Sequence, residues 1–221
     1  MGLNQLLVRT GGKNVLIDTG LGMKRTPREM QLLDAQMPRQ LPSELTAFGV
    51  EAADIDIVIL THLHYDHCGG ATLRREGELA PTFTNSVYYL QRREYEYASR
   101  LTKPSQRSYY PDDYEPLVQA GRLQMVDGDV ELLPGLKLCL TGGHTPGHQV
   151  AVMKSEAWTL FYPGDLFATR RHWRTKVNPR RNYDPAVVEQ QRQVWYERAR
   201  AGNWSCFFCH EPRDPIGVLG D

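Results

Sequence analysis

Short apolar runs broken by glycine turns dominate the first part of the chain, and that rhythm predicts sheet. Leu3 to Arg9 and Asn14 to Asp18 are two such runs, and Thr10-Gly11-Gly12-Lys13 between them has the composition of a hairpin turn. Helical spacing follows around Pro27 to Gln36 and Ser43 to Phe48, the second ending at Gly49. From Ile55 to Thr61 apolarity is continuous and β-branched residues abound, which predicts a strand covered on both faces. The middle predicts a strand at Val87 to Leu90, a charged aromatic helix at Arg92 to Arg100 and a strand at Leu123 to Val126. Three more strands, Leu136 to Leu140, Val150 to Met153 and Trp158 to Tyr162, are separated by glycine turns. Asp184 and Pro185 supply an N-cap and a first-turn proline to a helix that Gly202 stops. Val187, Val188, Val194, Trp195 and Ala199 recur on it at helical spacing and predict packing against a sheet. Trp204 to Cys209 reads as the last strand, and no repeat or linker interrupts the series, so one domain over residues 1–221 is expected.

Composition narrows the function. The 221 residues hold 26 Lys+Arg against 26 Asp+Glu, so no global positive field speaks for nucleic-acid binding, and a small or neutral substrate fits better. No apolar run approaches membrane-spanning length and no secretory leader follows Met1, which predicts a cytoplasmic protein without a membrane partner. Cys68, Cys139, Cys206 and Cys209 sit at no disulfide-framework spacing, so free thiols are expected. Cys206-Phe207-Phe208-Cys209-His210 matches the CxxCH pattern of haem attachment, but it lies in a strand-like run without an export signal. A lone CxxC also cannot close a four-ligand zinc site.

The chemistry is concentrated in Thr61-His62-Leu63-His64-Tyr65-Asp66-His67-Cys68-Gly69-Gly70, directly after the apolar run. In an extended chain alternate side chains share a side, so His62 and His64 can grip one ion while Asp66 and His67 diverge and serve another. Two metals are therefore expected. Three more polar residues stand where predicted strands end: His144 in Gly142-Gly143-His144-Thr145-Pro146-Gly147-His148, Asp165 in Tyr162-Pro163-Gly164-Asp165, and His210.

With these in place the chain resembles the metallo-β-lactamase superfamily, whose pattern is HxHxDH, a Gly-His turn, a Gly-Asp turn and a final His after a strand. The resemblance implies an α/β fold, a four-layer αββα sandwich of two mixed sheets flanked by helices. It implies that His62, His64 and His144 hold a first metal, that Asp66, His67 and His210 hold a second, and that Asp165 bridges both. Imidazole and carboxylate donors suit two Zn2+ per chain, with manganese, cobalt or iron as other occupants. Two such ions about 3.5–4 Å apart share a water and lower its pKa to about 7, making a bridging hydroxide the nucleophile. Asp66 or Asp165 then carries a proton to the leaving oxygen, a choice the residues leave open. The resemblance makes Asp18 and Thr61 outer partners of the histidines, and His148 either a third or a plain strand-start residue.

Among superfamily branches the chain resembles the quorum-quenching N-acyl homoserine lactone lactonases, in particular the YtnP-like branch. The matching stretches are Asn4-Gln5-Leu6-Leu7, Leu16-Ile17-Asp18-Thr19-Gly20-Leu21-Gly22, Thr141 to Gln149, Gly164 to Thr169 with His172, and Asn182-Tyr183-Asp184-Pro185. This implies hydrolytic opening of a lactone. A glyoxalase II-like thioesterase or other ester hydrolase is the alternative; a phosphodiesterase or an inactive metal-binding protein fits less well, since every ligand position is filled. Better-known lactonases carry a tyrosine three residues after the bridging aspartate; here Ala168 stands there, so His172 or Tyr183 is expected to contact the carbonyl. The segment that usually precedes the first family strand is missing from the expected layout, leaving a sheet edge that a second copy of the chain can cover as a homodimer. Tyr95, Tyr97, Tyr109, Tyr110 and Tyr114 either line a cleft or cover a core edge with wet hydroxyls. Arg170, Arg171, Arg174, Lys176, Arg180 and Arg181 form either a solvated loop or a grip on an anionic substrate group.

Overall fold

A computed structural model describes residues 2–32, 34–35, 40–101, 108–174 and 182–218. The chain gathers into two compact units: one comprises Gln5–Leu90 and Ala98–Met125, the other Met1–Asn4, Gln91–Tyr97 and Val126–Asp221.

The first unit is built on a five-stranded mixed sheet. Its strands are β1 (Leu6–Thr10), β2 (Lys13–Ile17), β3 (Ile57–Ile59), β6 (Val87–Gln91) and β7 (Leu123–Val126), adjacent in that order. The predicted hairpin pairs β1 with β2 from Leu6↔Ile17 to Thr10↔Lys13, and Gly11 and Gly12 take φ of 57° and 73°, as such a two-residue turn requires. β3 runs parallel to both β2 and β6, and Val58 and Ile59 are fully buried, as the unbroken apolar run predicts. Helices α1 (Pro27–Leu32), α2 (Leu41–Thr46), α3 (Tyr65–Cys68) and α5 (Glu115–Gln119) are short. A separate hairpin, β4 (Thr72–Arg75) with β5 (Glu78–Pro81), is absent from the predicted elements because its residues alternate too weakly in polarity to announce strands.

The second unit carries a six-stranded sheet. Its order is β13 (Ile216–Val218), β12 (Ser205–Phe207), β11 (Thr159–Tyr162), β10 (Gln149–Lys154), β9 (Leu136–Leu140) and β8 (Val130–Leu133). All neighbours are antiparallel except β11 and β12, which are parallel and joined through α6 (Arg171–Arg174) and α7 (Pro185–Ala201). α4 (Arg92–Ser99) matches its predicted span to within one residue. α7 starts as predicted: the Asp184 carboxylate accepts from the Ala186 and Val187 amides at 3.0 and 3.2 Å. Val188, Trp195 and Ala199 on α7 join a buried cluster with Val150, Phe161, Leu166, Phe167 and Phe208, and the Trp195 ring stacks on Phe161 at 5.1 Å. Burying an aromatic of this size contributes about 1.5–3 kcal/mol, which ties α7 to the sheet. Val194, counted on the same face from its spacing, is instead 36% exposed.

Two expectations are corrected here. Trp204 to Cys209 is not the last strand, because β13 pairs antiparallel with β12; three residues around a central glycine leave no periodic signal. Tyr109 and Tyr114 do not cover a core edge with wet hydroxyls: they are 2% and 1% exposed and belong to the core. All four cysteines are free, and no described helix is long and apolar enough to cross a membrane.

Candidate metal centre

Each unit presents its own set of donors at the ends of its strands. In the first, β3 stops at Ile59, the chain bends at Thr61 and is extended at His64, whose φ and ψ are −67° and 144°. His62 and His64 come together, with His62 Nε2 3.1 Å from His64 Nδ1. The chain then turns into α3, so Asp66 and His67 leave in another direction, with His67 Nε2 4.0 Å from Asp66 Oδ2.

Asp18 organises this half. It takes a left-handed φ of 57°, which aspartate tolerates better than most residues. Its carboxylate accepts from the Thr61 amide at 2.8 Å, the Thr61 hydroxyl at 2.9 Å and His67 Nδ1 at 2.8 Å. The hydroxyl's single proton is assigned to that carboxylate, so the 3.0 Å contact between Thr61 Oγ1 and His62 Nδ1 is a donation from the ring. His62 and His67 are therefore both oriented through Nδ1, which turns their Nε2 atoms away from Asp18 and Thr61.

The second unit repeats this logic. His144 sits in a turn where Gly143 has φ of 80° and a side chain there would come within 2.9 Å of the Val188 amide at the start of α7. Its Nδ1 donates to Asn182 Oδ1 at 2.8 Å. His210 follows β12 and donates from Nδ1 to the Gly2 carbonyl at 2.9 Å. Asp165 lies between the two rings, with Oδ2 3.2 Å from His144 Nε2 and Oδ1 3.1 Å from His210 Nε2. With each Nδ1 bonded elsewhere, both Nε2 atoms converge on one carboxylate. Imidazole nitrogens and carboxylate oxygens brought this close form a donor set that suits zinc.

His148 acts on Asp165 rather than on a histidine. The Thr141 hydroxyl donates to the His148 carbonyl at 3.1 Å and accepts from its Nδ1 at 2.7 Å, so Nε2 is free to accept the Asp165 amide at 3.0 Å. Asn182 and Cys209 carry roles that spacing did not disclose. Cys209 is 2% exposed, and its thiol donates at 3.5 Å to the Gly164 carbonyl and to Asp165 Oδ1. Its place directly before His210 at a strand end was the one available signal.

His172 opens α6. Its Nδ1 accepts from the Thr169 amide at 3.2 Å and meets the Thr169 hydroxyl at 2.8 Å, which leaves the proton on Nε2 as a donor. Burial pushes its pKa down, the Arg192 charge adds to the fall, and Asp165 opposes it. His172 is therefore a neutral N–H donor at pH 7. Tyr183, the other proposed carbonyl contact, is 52% exposed and meets the Tyr97 ring at 5.3 Å. Arg170 does not extend into a basic grip: its guanidinium donates to the carbonyls of Asp214 and, at 2.6 Å, Ile216. Lys176, Arg180, Arg181 and the side chain of Arg174 lie outside the described residues.

Residues 2–201 match the family described as the metallo-beta-lactamase superfamily. Over 218 residues the chain is 26% identical to an N-acyl homoserine lactonase of Bacillus thuringiensis, covering 93% of this chain and 79% of that one. A probable metal-dependent hydrolase from Staphylococcus aureus shares the fold at a TM-score of 0.89 and 20% identity, covering 97% of this chain and 76% of its own. An N-acyl homoserine lactone hydrolase, with the product N-hexanoyl-L-homoserine bound at its catalytic metal center, matches at a TM-score of 0.74 and 26% identity, covering 93% and 80%. The fold class expected from the motifs is thus the observed one, and the candidate donors from His62 to Asp165 fall within the matched span, with His210 beyond it. The chain belongs to the metallo-β-lactamase superfamily, as a hydrolase related to lactonases.

Proposed function

We propose that this protein is a dinuclear metal-dependent lactonase that opens an N-acyl homoserine lactone or a similar cyclic ester. The observation that carries the reading is the convergence of His144 Nε2 and His210 Nε2 on the two oxygens of Asp165 at 3.2 and 3.1 Å, with both Nδ1 protons already committed. In this reading His62, His64 and His144 hold one ion, Asp66, His67 and His210 the other, and Asp165 both. Bound there, two zinc ions supply Lewis acidity and an activated water near neutral pH.

The chain's own groups do the rest. His172, neutral and with Nδ1 engaged by Thr169, offers Nε2–H to the substrate carbonyl oxygen in place of the tyrosine that Ala168 replaces. Asp165, with both oxygens flanked by imidazoles, is assigned to holding metal. Asp66, whose side chain is 16% exposed, is assigned to passing a proton to the departing alkoxide. Support for a lactone comes from the Bacillus thuringiensis relative and from the relative that holds an opened lactone at its metal center.

The test is a panel of homoserine lactones, simple lactones, glutathione thioesters and phosphodiesters offered to chelator-stripped and zinc-reloaded protein. Lactones are expected to give the highest kcat/KM, dependent on zinc, and His64→Ala or Asp165→Asn to abolish turnover in folded protein. Faster turnover of thioesters, or full activity in either variant, would overturn the assignment.

A further inference from the structure

Beside the first donor set lies a buried charge cluster with no part in the proposed chemistry. Lys24, Arg25 and Asp113 have side chains 4%, 5% and 0% exposed. Asp113 Oδ1 is 3.1 Å from Lys24 Nζ, and Oδ2 accepts from Arg25. Two cations thus share one carboxylate, an arrangement whose desolvation cost exceeds anything a surface pair would incur. Burial pushes the Asp113 pKa up and the Lys24 pKa down, in line with that cost.

What the cluster holds is the exit of the donor loop. Lys24 Nζ donates to the carbonyls of Gly69 and, at 2.7 Å, Thr72, in the segment just after His67, while pairing its charge with Asp113. Around it the 18–25 connection grips that segment by its backbone. The Thr19 amide donates to the His67 carbonyl at 2.7 Å, and the Gly70 amide to the Gly20 carbonyl at 3.0 Å. A side chain at Gly69 would come within 2.2 Å of the Leu21 carbonyl oxygen, and one at Gly22 within 2.3 Å of the Gly69 oxygen. Arg25 continues the contact on the other side: its guanidinium lies 3.6 Å above the Tyr110 ring, which meets Tyr65 edge-on at 6.0 Å, one residue before Asp66.

We infer that Lys24 is a positioning residue for the metal donors Asp66 and His67: it anchors the carbonyls that end their turn, and Asp113 is the counter-charge that lets it stay buried. The inference rests on the metal reading of the site. Lys24→Met is a clean probe, because removing one of the two cations leaves Arg25 and Asp113 as a balanced pair. Lys24→Gln, which keeps an N–H donor, is the second variant.

The experiment titrates zinc into chelator-stripped protein against a chromophoric chelator, and records the melting of the metal-free form alongside. Lys24→Met is expected to melt close to the parent when metal-free, yet to bind its weaker zinc equivalent about ten-fold or more less tightly. Lys24→Gln should recover part of that loss. Unaltered zinc affinity in folded Lys24→Met, or in Lys24→Gln should the first variant not fold, would overturn the role of Lys24. Failure of the parent protein to take up zinc at all would sink the metal reading itself, a distinct result.

Discussion

His67 Nδ1 lies 2.8 Å from Asp18 Oδ2, a contact that ties a donor of α3 to the last turn before the long connection out of β2. The two side chains are 1% and 2% exposed, so water does not compete for the bond. One carboxylate thereby sets the tautomer of His67 directly and that of His62 through Thr61.

Asp18→Ala is expected to weaken zinc binding by about 10–100-fold, since it releases both rings at once. It should also cost about 1–2 kcal/mol for placing alanine at a left-handed φ. Asp18→Asn keeps an acceptor for the Thr61 amide and tolerates the backbone, so its loss should be smaller in both respects. Zinc competition and thermal melting of the two variants read this directly, and equal behaviour of the two would contradict it.

His172 makes stability depend on pH with a definite sign. The folded state holds its pKa below the ordinary value, whereas the unfolded imidazole titrates near about 6.5. Between those two values the unfolded chain binds a proton that the folded chain refuses, so stability rises with pH there. The contribution is complete above about pH 6.5 and is lost as pH falls through the folded value. Melting curves from about pH 8 to about pH 5 should fall more steeply for the parent than for His172→Gln. Parallel curves would show that His172 is not the group responsible.

Arg170→Ala is expected to act on stability and not on substrate binding. Its guanidinium bonds the carbonyls of Asp214 and Ile216, and its amide donates to Glu211 at 2.9 Å. Losing these side-chain bonds should cost about 1–2 kcal/mol and speed proteolysis near β13. The Michaelis constants for acidic and neutral lactones should stay in the same ratio. A selective rise for acidic substrates would restore the anion-gripping role.

The residues proposed as donors stand out in the sequence because strand ends and turns leave strong marks: an apolar β-branched run before His62, glycine turns around His144 and Asp165, and an aromatic strand before His210. What surrounds them was only partly legible. Asp18 and Thr61 follow from the family resemblance, but Asn182, which orients His144 from 38 positions away, has no local mark. The Lys24, Arg25 and Asp113 cluster is equally silent, because charged residues are ordinarily solvated and only the folded chain removes these from water. The β4–β5 hairpin and β13 escaped because half-exposed short strands carry little alternation.

Asn4 Nδ2 donates to the carbonyls of Phe208 and Glu211 across 204 and 207 positions, and the Gly2 amide and carbonyl both bond His210. Residues 2–4 find these partners only once the chain has been extended as far as Glu211. Contacts of such separation form slowly, because the loop must close before anything rewards it. The His210 ring is therefore oriented late in folding, after the sheets that flank it have formed.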